Sequence, residues 1–178
     1  MRAGWVLAVG FLLVACGGSA GTSTTPAGGA ADPSKTGWQP PPLPTDGAIG
    51  TLGLTPPDKP WDGMTYDEKE WYMIGKVHPI MRQVFQTLDA AKYEGLKFEC
   101  EPCHGPDAKA RKYKMPAGHL SPVPPFDSKE YADMRGARIV KFMEQRVTPV
   151  MSSIMGMPIY DPKTKQGYSC FSCHTEQK

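Results

Sequence analysis

The sequence has no cysteine to spare. Of five in 178 residues, four fall in two short motifs and the fifth is Cys16, so nothing remains for a disulfide framework. Neither sign of charge is in excess, with 20 basic against 18 acidic side chains, and nothing in that balance suggests nucleic acid. The one basic run, Lys109–Lys114, reads first as a solvated loop and second as a docking patch for an acidic partner. Long hydrophobic runs are missing too; the most apolar stretch, Trp5 to Val14, is too short to span a bilayer. Large apolar side chains are scarce from Gly17 to about Gly53, where Gly, Ser, Thr, Ala and Pro dominate around Gln39-Pro40-Pro41-Pro42-Leu43-Pro44. Such a segment cannot offset its ordering entropy and is expected to be a disordered tether.

What is present is Cys100-Glu101-Pro102-Cys103-His104 and, at the C-terminal end, Cys170-Phe171-Ser172-Cys173-His174. C-x-x-C-H reads as a c-type haem attachment site. Two thiols must sit about one helical turn apart to add to the two vinyl groups of one haem, and the adjacent imidazole is then placed to ligate the iron. Two matches, each with its His, imply two covalently bound haems c, with His104 and His174 as proximal ligands. Paired C-x-x-C with two His could also supply zinc, or a redox-active dithiol. No βαβ pattern supports the dithiol, and haem ranks well ahead of both.

The N-terminus has a basic Met1-Arg2 followed by the apolar stretch, which reads as an export signal. Leu13-Val14-Ala15-Cys16 looks like a bacterial lipobox. The resemblance implies cleavage after residue 15, lipidation of Cys16, and anchoring by acyl chains without a spanning helix. Gly17 at the following position implies, by the same resemblance, the outer membrane of a Gram-negative cell. An ordinary secretory signal cleaved nearby is the alternative, and either one puts the protein outside the cytoplasm. The expected layout is a lipoprotein signal peptide at 1–15, a lipidated N-terminus and tether at 16–60, and a dihaem domain at 61–178.

Order is expected from near Trp61. Thr65-Tyr66-Asp67-Glu68 is a capping box, and Met73, Val77, Ile80, Met81, Val84, Phe85 and Leu88 line one helical face. Pro79 predicts a kink or a new helix begun near His78. A linker with Gly95 leads to the first motif, and 105–126 reads as a loop. Asp127-Ser128-Lys129-Glu130 reads as a second capping box, opening a helix striped by Tyr131, Met134, Arg138, Ile139, Phe142, Met143 and Val147, with Pro149 as a second interruption.

The two halves are a repeat. An offset of 70 residues superposes both cysteine motifs, and with them Met73 on Met143, Val77 on Val147, Pro79 on Pro149, Ile80 on Val150, Met81 on Met151 and Phe98 on Tyr168. We read this as a duplication, with units at about 65–104 and 128–174. The fold expected is mainly α: two repeated helix–loop–C-x-x-C-H units packed around two haems, which form much of the hydrophobic interior.

The distal iron ligand decides between electron transfer and ligand or peroxide chemistry. Only Thr175, Glu176, Gln177 and Lys178 follow His174, so the second haem is expected to take its distal ligand from upstream or from another molecule. Met81 and Met151 are the leading pair, matched by the repeat and borne on the apolar helix face, although Met there is commonly core filler. Met73 and Met143 come next; Met115, Met157 and His119 are further alternatives. His78 lacks a repeat partner and reads as a surface or cap residue.

These residues resemble the repeated unit of the multihaem cytochrome subunit of photosynthetic reaction centres: a helix with a distal Met, a turn, and C-x-x-C-H. The resemblance covers roughly the last 120 residues and implies Met81 with His104 on one iron and Met151 with His174 on the other. The expected function is a membrane-tethered dihaem electron carrier, not an enzyme, serving a membrane oxidoreductase, terminal oxidase or reaction centre in respiration or photosynthesis. The alternatives are a dihaem peroxidase-like enzyme or a haem sensor with one open iron.

Overall fold

Ile49 has no business being buried in a tether, yet only 7% of it is exposed. In a computed structural model, which describes residues 37–94 and 98–178, it sits on a short helix, α1 (Gly47–Leu52), and joins the main hydrophobic core. Its backbone N–H donates to Oε1 of Gln83 at 2.8 Å, and the Gln83 amide in turn donates to the Asp46 carbonyl at 3.0 Å. Upstream, Arg146 donates to the carbonyls of Pro40 and Pro41 at 2.8 and 2.6 Å. This corrects the expectation that order begins near Trp61. Proline carbonyls in a polyproline-like run are unpaired by any ladder, so they are free to accept from a neighbouring guanidinium. The 1–15 leader, Cys16, the tether as far as residue 36, and Gly95 lie outside the described residues.

The described chain is mainly α, with two long helices. Among the described residues there is no strand, only isolated bridges such as Val123 with Glu176. No helix among them is long and apolar enough to cross a membrane.

The first long helix opens on Thr65 with both halves of the expected capping box, Thr65 Oγ1 accepting from the Glu68 N–H and Glu68 accepting from the Thr65 N–H. It runs through α2 (Tyr66–Tyr72), a π segment (Met73–Val77) and α3 (His78–Leu88) without a break. Pro79 therefore neither starts a new helix nor ends one. Proline has no N–H to give and crowds the preceding turn; the chain answers by widening that turn, so that the His78 N–H reaches back five residues to the Met73 carbonyl.

After α4 (Glu101–His104) comes α5 (Lys129–Met134). Its cap is Ser128, whose side chain accepts from the Tyr131 N–H at 3.1 Å, one residue later than expected. The helix stops there, and a turn at Arg135–Ala137 separates it from α6 (Arg138–Phe142). The predicted single stripe is thus two helices, and Ile139, expected inside, is 45% exposed. The second long helix runs α6, a π segment (Met143–Val147) and α7 (Thr148–Met155). Here the Thr148 N–H reaches the Met143 carbonyl. The offset that superposes the cysteine motifs superposes the two π segments as well.

The core lies between these helices. Phe142 is fully buried with its ring edge-on to Phe85 at 5.4 Å. Ile80 and Val150, repeat partners, are buried at 0% and 1% exposure, and the Tyr72 hydroxyl donates to the Ile154 carbonyl. Gly156 closes the second helix at φ 67 and ψ 26, a left-handed cap that favours glycine.

Candidate haem-attachment site

Each motif folds as the chemistry requires. The His104 N–H donates to the Cys100 carbonyl at 2.9 Å and the His174 N–H to the Cys170 carbonyl at 2.8 Å. One tight turn therefore sets each pair of thiols and its imidazole. Pro102 is tolerated because it stands at the start of α4, where no N–H is needed. In the second motif Ser169 caps the turn by accepting from the Phe171 N–H. All four thiols are free. Cys100 is exposed, whereas burial pushes the Cys103 thiol up to about 11 and raises Cys170 and Cys173.

The two motifs are brought together by the stretch that reads as a featureless loop. The Ala117 N–H donates to the Cys173 carbonyl and the Val123 N–H to the Thr175 carbonyl, at 3.1 and 2.9 Å. His119 sits against the Pro102 carbonyl at 3.3 Å. Its ring also lies over Gly105, where an added Cβ would come within 2.8 Å of Nδ1. That packs His119 beside the backbone next to His104.

The two imidazoles differ. Nδ1 of His174 lies 2.8 Å from the Ser121 carbonyl. A carbonyl only accepts, so Nδ1 carries the proton and Nε2 is left with its lone pair. Metal-bound histidines are held in this way. Nδ1 of His104 is buried without a hydrogen-bond partner; Tyr113 stands edge-on to the ring at 5.4 Å. Burial lowers the pKa of His104, which favours the neutral, ligating form. The His104 carbonyl accepts from Arg111 at 2.7 Å, and Arg111 also pairs with Asp107. One cation of the basic run is thus committed inward, while Lys109, Lys112 and Lys114 are exposed.

The methionines divide. Met81 is buried in the core, and Met73, Met143, Met151 and Met157 pack against it, as do Cys103 and Cys173. Met115 is not part of that cluster. His78 is half-buried and bonded to the Phe98 carbonyl at 2.6 Å, so it ties α3 to the entry of the first motif and is no surface residue. Sequence reasoning missed Ser121, Arg111 and the hydroxyl of Tyr168. The first two act on or through main-chain carbonyls, which every residue type carries.

These residues fit haem: free thiols at one-turn spacing, an imidazole next to each pair (that of His174 with its second nitrogen committed), and thioether side chains in the adjoining core. They do not make a zinc cage, since among the described residues no three His, Cys, Asp or Glu side chains gather into a metal-holding group. No protein family, curated protein or solved structure matches the chain.

Proposed function

We propose that this chain is a membrane-tethered dihaem c-type cytochrome that carries single electrons outside the cytoplasm. The observation that carries the reading is the pair of C-x-x-C-H turns of like geometry at the ends of a 70-residue repeat. Cys100 and Cys103 hold one haem and Cys170 and Cys173 the other, with His104 and His174 as proximal ligands and Met81 and Met151 as distal ones. When bound, each haem supplies a reversible one-electron couple at its iron.

The chain's own residues do the rest. The Ser121 carbonyl orients the His174 ring, and the half-buried Phe126, Tyr131, Tyr160 and Phe171 rings pack together beside the second motif. Burial of Met81 and partial burial of Met151 present thioethers from an apolar wall, and Met ligation raises a potential relative to bis-His. That suits a donor to a terminal oxidase, another membrane oxidoreductase or a reaction centre. The exposed lysines of 109–114 favour a partner with an acidic face, and Cys16 supplies the lipid anchor.

The test is a pyridine haemochrome assay with the oxidised visible spectrum, on protein matured in a host competent for cytochrome c assembly. Two covalent haems per chain and the weak far-red Met–iron(III) band are expected. Met81→Ala and Met151→Ala are each expected to remove about half of that band, and together all of it. A high-spin spectrum in the parent protein would favour a peroxidase-like enzyme or a sensor. No covalent haem would sink the proposal.

A further inference from the structure

The repeat differs at a buried position beside the cysteine motifs. Phe98 and Tyr168 occupy matched places two residues before the first cysteine of each motif, and both rings are in the core, at 4% and 7% exposure. They differ by one hydroxyl. That of Tyr168 lies 3.3 Å from Sγ of Cys173, and it has no other hydrogen-bond partner among the described residues. A buried phenol is costly unless its hydroxyl is bonded, so this contact is the one that satisfies it. Phe98, in the matched place beside Cys103, has no hydroxyl to offer.

Either atom can donate while the sulfur carries its proton. A thioether carries none and can only accept, weakly. Once Cys173 is bonded to a haem vinyl carbon, the Tyr168 hydroxyl must therefore be the donor. A hydrogen aimed at that sulfur places positive charge at the edge of the macrocycle, where it stabilises the electron-richer, reduced state. Hydrogen bonding around a haem is one of the means by which a protein sets its potential.

We propose that Tyr168 is a potential-setting residue chiefly for the second haem: its hydroxyl donates to the Cys173 sulfur and raises the potential of that site more than that of the first. The inference rests on the dihaem reading above. Burial raises the pKa of Tyr168 further above its ordinary value, so the donor keeps its proton through the neutral range. The result is a further difference between two repeated sites whose imidazoles are already held differently.

The experiment is a spectroelectrochemical titration of the holoprotein, the Tyr168→Phe variant and the reciprocal Phe98→Tyr variant. Tyr168→Phe copies the residue that the first repeat already uses, so it is expected to fold and to load both haems. One of the two reduction steps is expected to move to lower potential by clearly more than the other. Phe98→Tyr is expected to raise the step that Tyr168→Phe moves less. A Tyr168→Phe titration in which both steps move equally, or neither moves, would overturn the role of the hydroxyl while leaving a dihaem protein intact. Absence of covalent haem in the parent chain would instead remove the dihaem reading itself.

Discussion

Glu68 is exposed at the surface, yet its carboxyl is held at about 2, against an ordinary value of 4.5. The main cause is its bond to Lys59, at 2.7 Å, followed by the Thr65 N–H that closes the capping box. A carboxyl whose pKa is lowered by folding contributes stability that is complete above its unfolded value and fades as pH falls through the folded one. The contribution of Glu68 is therefore present above about 4.5 and lost on the way down to about 2. Because the pair is exposed, salt weakens it. Glu68→Gln is expected to lower the unfolding midpoint near neutrality and to converge with the parent near pH 2, which circular dichroism across that range would read. A constant difference at all pH would show that the carboxylate charge is not what matters. At this scale the cap was legible, because Thr and Glu three apart form a specific local pattern. The two C-x-x-C-H motifs are marked out by spacing alone, and each folds as one tight turn. The hold on His174 was not legible, because its partner is the Ser121 carbonyl and the loop that delivers it has no periodicity.

Among the elements, the two prolines are the clearest case of structure departing from a local rule. An interior helical proline ordinarily costs about 3 kcal/mol, so alanine in its place would be a large gain. Here the widened turn before Pro79 and before Pro149 already dispenses with the missing N–H. What remains is the proline's restriction of the unfolded chain, which favours the folded state by roughly 0.4–1 kcal/mol. Pro79→Ala and Pro149→Ala are thus expected to destabilise the protein slightly, by up to about 1 kcal/mol each and alike in the two repeats. Denaturant midpoints of both variants decide it, and a gain near 3 kcal/mol would mean the π turns are no accommodation to proline. The apolar face from Met73 to Leu88 was legible because its side chains all pack in one direction. The break after Met134 was not, since helical apolar spacing runs on across the turn, and Tyr131 still reaches the second long helix, its hydroxyl donating to Glu144 at 2.7 Å. Asp127 and Ser128 are both good caps, and local sequence offers no means of choosing between them.

For the whole molecule, composition misled most where polar and proline-rich sequence was taken to lack any means of ordering. From residue 37 onward the chain lies on the helices through main-chain carbonyls and a few apolar side chains, with Ile49 buried and Trp38, Leu43, Leu52 and Leu54 packed against the core. Lys141 and Arg146 donate to the carbonyls of Trp38, Pro40 and Pro41, and the Arg138 guanidinium stacks on the Trp38 ring at 5.1 Å. Residue counts miss such contacts, because the apolar partner surface belongs to α3 and the donors belong to the second long helix. Ile49 is the apolar lock of this arrangement. If it is part of the core, Ile49→Ala leaves a cavity and costs about 2 kcal/mol, the low end for such a truncation because the side chain lies at the rim. If residues 37–60 were only a spacer, the cost would be indistinguishable from zero. A denaturant titration of the holoprotein, followed by helical circular dichroism and Soret absorbance together, separates the two. Coincident loss of both signals at a lower midpoint is expected, because α1 rests on α3, the helix that carries Met81, so loosening it loosens a wall of the proposed haem site.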